Sequence, residues 1–162
     1  VGIGVIPNNT NGGVLQLKSG ITFPTTAVAS TDANTLDDYE EGTFTPSYES
    51  LGATWTTYYE QVGWYTKIGR AVTIVGRIRC GAAPTGTLTN AVYVTGLPFT
   101  SQNILNSQTA VATGLCNYDP IVTGLIEWNS IRITMYKAGS LSIWTAADTT
   151  GKFYCFSTTY FI

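Results

Sequence analysis

The run from Val62 to Cys80 admits few folds. Val62, Trp64 and Ile68 share one parity before Gly69-Arg70, and Val72, Ile74, Ile78 and Cys80 share one after it. Period two marks a strand with one face on a core. A Gly-X pair between two such runs is the chemistry of a two-residue hairpin with glycine in the first loop position. That loop pairs Ile68 with Ala71 and Lys67 with Val72, which sends the two apolar sets to opposite faces. A longer or bulged connection reunites them, so the hairpin is predicted and its register stays open. Trp64 follows the core parity. Arg77 and Arg79 share the outward parity of Thr73.

Similar short runs fill the rest of the chain. Thr43 to Tyr48 reads as a first strand that Pro46 pushes toward a sheet edge. Leu51 to Tyr59 is a second strand or an aromatic loop. Ala91 to Thr95 is stopped by Gly96-Leu97-Pro98, and Ser101 to Gln108 is a polar loop. Thr109 to Cys116 and Ile121 to Trp128 flank a turn at Asn117–Pro120. In Ile131 to Tyr136, the residues Ile131, Ile133 and Met135 point inward. A three-residue loop at Ala138-Gly139-Ser140 then pairs Met135 with Ile143 and Thr134 with Trp144. Leu141 and Ile143 continue the inward face, while Arg132, Thr134, Tyr136, Ser142 and Trp144 face outward. Phe153 to Ile162 carries aromatics on both parities, so both its faces are expected to be covered. Roughly eight to ten strands with a turn about every ten residues predict an all-β, antiparallel β-sandwich of jelly-roll type over residues 43–162. No ten-residue stretch has helical periodicity, and no fixed repeat is present.

Composition narrows the function. Charged residues make up 11% of the chain, against about 25% in typical soluble domains. With many Thr, Val, Tyr and Ile, this favours strands over disorder or a helical bundle. A net charge of −2 offers nothing to nucleic acid. No apolar run nears the roughly 18 residues of a membrane helix. There is no histidine, which removes Ser-His-Asp and Cys-His catalysis. A glycosidase needs two carboxyls about 5–9.5 Å apart, and Glu49, Glu60, Asp119, Glu127 and Asp148 form no recognisable pair. A non-enzyme without a cofactor is therefore expected. Cys80, Cys116 and Cys155 are odd in number and lack metal-ligand spacing, so three free thiols and a reducing compartment are expected. The chain starts at Val1 with no basic-then-apolar leader, as a fragment or processed product would.

Residues 1–34 differ from the rest. Apolar residues stand singly or in pairs among Asn, Gly, Thr and Ser, and Asn8-Asn9-Thr10 matches a glycosylation sequon. Val14–Lys18 and Ile21–Phe23 read as short strands that cannot alone offset their ordering entropy, about 1–2 kcal/mol per residue. An extended stalk or linker is expected. It leads into an acidic joint, residues 35–46, that concentrates Asp37, Asp38, Glu40 and Glu41. These carboxylates either accept backbone hydrogen bonds and pair with Arg70, Arg77 or Arg79, or they hold a calcium- or magnesium-like cation.

The joint reads TLDDYEEGTFTP from Thr35 to Pro46. It closely resembles the TLDDYEEGTWTP string of bacteriophage tail fibres and tail spikes, with Phe44 in place of the usual tryptophan. Val1-Gly2-Ile3-Gly4, Gly20–Pro24, Gly63–Gly69 and Val94–Phe99 are similar to further segments of that family. The resemblance implies a homotrimeric distal module at the virion tip. Such a module is joined to upstream fibre domains, assembled in the host cytoplasm, and recognises bacterial surface polysaccharide or lipopolysaccharide. It also leaves room for a purely structural trimerising cap, and for a polysaccharide hydrolase.

Sugars stack on aromatic rings and hydrogen-bond to Asn, Asp, Gln and Arg. Outward Arg132, Tyr136 and Trp144, with loop residues Trp55, Tyr58 and Tyr118, are the candidate glycan contacts. Subunit interfaces enrich the same residue types, so a neighbouring copy is the alternative occupant.

Overall fold

A computed structural model of the chain describes residues 20–23, 36, 38–114, 122–137 and 142–162. Two units divide it, Val1–Asp38 and Tyr39–Ile162. In the first, Ile21 and Leu36 are exposed and Asp38 is buried. The remainder of the expected stalk, including Val14–Lys18, the sequon and Asp37, lies outside the described residues.

The second unit is all-β. Its strands are β1 (Tyr39–Phe44), β2 (Ser47–Glu49), β3 (Ala53–Thr54), β4 (Tyr58–Ile68), β5 (Ala71–Cys80), β6 (Thr85–Gly86), β7 (Tyr93–Thr95), β8 (Thr109–Thr113), β9 (Val122–Ile126), β10 (Arg132–Lys137) and β11 (Phe153–Phe161). Nine form one antiparallel sheet in the order β1-β4-β5-β11-β8-β9-β10-β7-β2, while β3 and β6 form a separate ribbon. Consecutive strands β1 and β2 are thus the two ends of the sheet, although only Thr45 and Pro46 separate them. Two residues span about 10 Å at most, so the sheet is curled until its ends lie side by side. Pro46, which cannot donate to a ladder, sits at the corner between the edges. Gly96 allows the close approach there. Its φ is +87°, and a Cβ on it would stand 2.6 Å from the Thr45 carbonyl oxygen.

β8 makes the opposite corner. Thr109–Val111 pair with β9, and Ala112 and Thr113 pair with β11. Val72, Ile74, Ile78, Tyr154, Phe156 and Tyr160 from one half of the sheet meet Tyr48, Val94, Ile126, Ile133 and Met135 from the other in one core.

The β4–β5 hairpin has the two-residue loop, with Gly69 at φ +55° and Ile68 opposite Ala71. The two apolar parities therefore do fall on opposite faces. Val72, Ile74 and Ile78 are fully buried, whereas Val62, Trp64 and Ile68 are exposed. The expectation that Trp64 joins the core is corrected: it is 54% exposed, and Lys67, 6% exposed, takes an inward place. The ladder's one irregularity lies farther along, between Tyr58 and Glu60.

Inside the curl, Phe44, Gly63, Gly76 and Phe156 form one row across β1, β4, β5 and β11. The two rings fold over the two glycines with centroids 6.4 Å apart. A Cβ on Gly63 would stand 2.5 Å from the Phe44 ring, and one on Gly76 closer still to Phe156.

Two further expectations change near β10. Tyr136, not Met135, bridges Ile143. One residue of slip inverts every side chain, so Ile143 faces out and Trp144 is buried at 1% exposure. Ile131 precedes the strand and is exposed rather than inward. On β11, Tyr154, Phe156 and Tyr160 are buried, Phe153 is covered by Arg77 at 4.6 Å, and Phe161 is half exposed. Cys80 and Cys155 are free thiols, and the Cys80 thiol donates to the Thr149 carbonyl at 2.9 Å. Cys116 and the Asn117–Pro120 turn lie outside the described residues.

A short 3-10 turn, Ala146–Thr149, follows Trp144. The Asp148 carboxylate accepts hydrogen bonds from the Thr145 N–H and hydroxyl, both at 2.9 Å, and lies 3.2 Å from the Lys137 ammonium. Burial pushes this carboxyl up, but the Thr145 bonds and Lys137 outweigh burial and hold it below its ordinary 3.8. A depressed folded-state value stabilises the fold above pH 3.8, and that contribution is lost as pH falls through the folded value. Asp148→Asn is expected to cost about 1 kcal/mol at neutral pH, as lost caps do. It should also flatten the acid limb of stability, read from urea midpoints across pH.

Candidate functional site

The six predicted glycan contacts separate into three groups. Trp144 belongs to the interior, and Trp55 and Tyr58 are half-buried against it. The Trp55 indole N–H donates to Thr149 Oγ1 at 3.0 Å, and its ring lies 5.6 Å from that of Tyr48. The Tyr58 hydroxyl accepts from the Tyr48 N–H at 3.1 Å, and the two rings stack at 6.2 Å. Both residues pack against the core, and Trp144 is part of it. The sequence placed them outside because loop aromatics read as solvated and because the β10 return was one residue out of register. Tyr118 lies outside the described residues.

Arg132 and Tyr136 do stand together on the outer face of β10. Register adds neighbours to them. Thr134 is opposite Tyr93 on β7 and Leu125 on β9, Arg132 is opposite Thr95, and Glu49 on β2 is opposite Tyr93. The Arg132 guanidinium lies 4.0 Å from the centre of the Tyr93 ring, and its Nη1 is 3.7 Å from Glu49 Oε1. The Thr134 hydroxyl donates to Glu127 Oε1 at 3.3 Å. Burial raises the Tyr136 hydroxyl above its ordinary 10.0, with help from the charge of Glu127. It therefore remains a neutral donor throughout the physiological range. Tyr93 was missed, yet its signal was present: it alternates with Val92 and Val94, both fully buried.

The contacts within this platform are individually weak. An exposed ion pair such as Glu49–Arg132 contributes about 0.2–1 kcal/mol, and an exposed cation–π contact about 0.5–1. Their main effect is to hold a five-donor fork in one orientation, over the Tyr93 ring and beside the Glu49 carboxylate. Such a surface presents hydrogen-bond donors and acceptors side by side.

A second surface lies on the outer face of β4, β5 and β11. Trp64 borders a shallow groove of about 450 Å³, lined also by Val75, Arg77, Cys155, Ser157 and the Ala112–Gly114 backbone. Arg77 is occupied by Glu60 at 2.6 Å.

Of the acidic joint, Asp37 lies outside the described residues, and Glu40 and Glu41 diverge. Glu40 and Glu41 are successive residues of β1, so they point to opposite faces. Glu40 accepts from the Tyr65 hydroxyl, and Glu41 from the Tyr39 hydroxyl at 2.9 Å. Each carboxylate raises its tyrosine above the ordinary 10.0. Of the three arginines expected as partners, Arg70 donates to the Ile162 carbonyl at 2.7 Å, Arg77 pairs with Glu60, and Arg79 lies over the Tyr59 ring. No group of three or more His, Cys, Asp or Glu suited to a metal ion occurs among the described residues. Among those residues, too, no helix is long and apolar enough to cross a membrane.

Comparison with protein-family models, curated proteins and solved structures finds no match for this chain.

Proposed function

We propose that the chain is the distal receptor-binding module of a bacteriophage tail fibre or tail spike. In this proposal residues 1–34 form an extended stalk, and the two halves of the curled sheet form a jelly-roll-like β-sandwich. Three copies assemble and recognise bacterial surface polysaccharide or lipopolysaccharide. The likeness of Thr35–Pro46 to the tail-fibre string supports the family. The observation that carries ligand recognition is the Arg132 fork, laid over Tyr93 and beside Glu49, with Tyr136 and Glu127 farther along the same face. Weak sites suffice, because three copies on many fibres multiply millimolar to micromolar contacts. A trimerising cap without its own ligand is the second reading, and the apolar face around Trp64 favours it.

Arg132→Ala and Tyr93→Ala test the platform. A hydrogen bond to a charged group contributes about 1.5–3 kcal/mol, so each variant should lose roughly tenfold or more in affinity. The assay is an array of bacterial polysaccharides and lipopolysaccharides, with melting temperature and particle mass unchanged. Full binding by both variants would remove the platform from the proposal.

A further inference from the structure

We infer that the outer face of β4, β5 and β11 is the surface through which copies of this chain meet. The inference rests on the assembly part of the proposed function and supplies its location. Val62, Trp64, Ile68, Val75 and Phe161 are each 41–54% exposed on this face. The ladders align four of them in rows, and Val62 stands in the next row, opposite Arg77. Ile68, Ala71 and Phe161 form one, Thr66, Thr73 and Thr159 the next, and Trp64, Val75 and Ser157 the third, which Ala112 extends. Regular pairing without a bulge keeps these rows level.

Three properties suit a second copy better than a sugar or water. The first is area. At about 150–250 Å² for an aromatic side chain, the half-exposed residues leave on the order of 500 Å² of apolar surface in water. With the threonines between them, the face approaches the roughly 800 Å² per partner of a stable interface.

The second is charge. Across β4, β5 and β11 these three rows contain no charged residue. Three ions border the rows: Arg70, next to Ala71, donates to the Ile162 carbonyl; Arg77, opposite Val62, is held by Glu60 and lies over Phe153; and Glu41, opposite Thr66, accepts from the Tyr39 hydroxyl. Each bordering ion already has a partner within the chain, so occlusion leaves none of them without one.

The third is polar satisfaction. The Thr73 and Thr159 hydroxyls bond each other at 2.9 Å, so the middle row tolerates burial. A sugar would find those hydroxyls already engaged. A face of this kind, repeated on every copy, can pack around a symmetry axis.

The experiment compares the full chain with Trp64→Glu and Val75→Lys by light scattering and sedimentation over a micromolar dilution series. Both positions are exposed, so each variant should keep the parent's β-type circular dichroism. The expected result is an oligomeric parent and variants with at least tenfold weaker association. As a second measurement, the Trp64 fluorescence component, taken as the difference between parent and Trp64→Phe, should gain acrylamide quenching when the parent dissociates. Parent-like mass in both charge variants would overturn the inference. So would a Trp64 component that ignores dissociation, or an oligomer lost on deleting residues 1–34 yet intact in Trp64→Glu. A monomeric parent whose Trp64→Glu variant loses polysaccharide binding would also overturn it, and would assign the face to ligand. The two proposals fail separately. Arg132→Ala should lose sugar and keep its mass, whereas Trp64→Glu should lose mass and keep single-site sugar affinity.

Discussion

Trp144→Ala is expected to lower the stability of the fold by about 3–5 kcal/mol, the range for truncating a buried large aromatic. Trp144 is 1% exposed. Its backbone N–H donates to the Met135 carbonyl at 2.9 Å, and its own carbonyl accepts from Val92 at 2.8 Å. The strand-like backbone therefore stays in place when the side chain goes, and the space does not collapse. Since folded domains are stable by only about 5–15 kcal/mol, the urea midpoint should fall by a large fraction. The folded remainder should bind polysaccharide with parent affinity. Parent-like stability with lost binding would instead mean that the indole meets ligand.

Gly76→Ala should cost about 3 kcal/mol, at the upper end for overpacking. The added methyl would press on the Phe156 ring, which stacks on Tyr154 at 5.4 Å and lies 6.4 Å from Phe44. Phe156 is itself buried, so the ring cannot swing into solvent. A double-mutant cycle gives the check. In a Phe156→Ala background, the Gly76→Ala penalty should vanish or reverse, because the methyl then occupies space the ring has left. Additive costs would show that backbone freedom at Gly76, rather than contact with Phe156, sets its effect.

What the sequence revealed was local. Gly69-Arg70 specifies its own loop, so the β4–β5 pairing followed from turn chemistry alone. Which face of that hairpin looks inward did not follow. Parity arguments assume that apolar residues turn away from water, and Trp64, Val62 and Ile68 break that assumption while Lys67 takes the inward place. A charged residue inside an apolar alternation is tolerated only by neighbours from distant strands. Here the Lys67 ammonium lies 5.6 Å from the Phe99 ring, a contact no nearby residue announces. Around Trp144 the failure was smaller in cause and larger in effect, since one residue of loop length exchanged buried and exposed faces. The platform was half legible. Arg132 and Tyr136 share a parity on one strand, but Tyr93 and Glu49 join them only through the order β10-β7-β2, a long-range pairing. The curl was hidden for the same reason, because Thr45-Pro46 looks like a kink within one strand.

That corner also sets how the domain carries load. The polypeptide enters the sheet at Tyr39 on one edge and ten residues later reaches Glu49 on the other, beside Tyr93 and Arg132. Tension applied at Tyr39 while the Arg132 face is held therefore travels along covalent backbone as far as Glu49 and then crosses the β2–β7 and β7–β10 ladders. On the way, the six cross-strand pairs from Tyr39–Ile68 to Phe44–Gly63 lie along the line of pull. They are loaded together in shear instead of opening one by one.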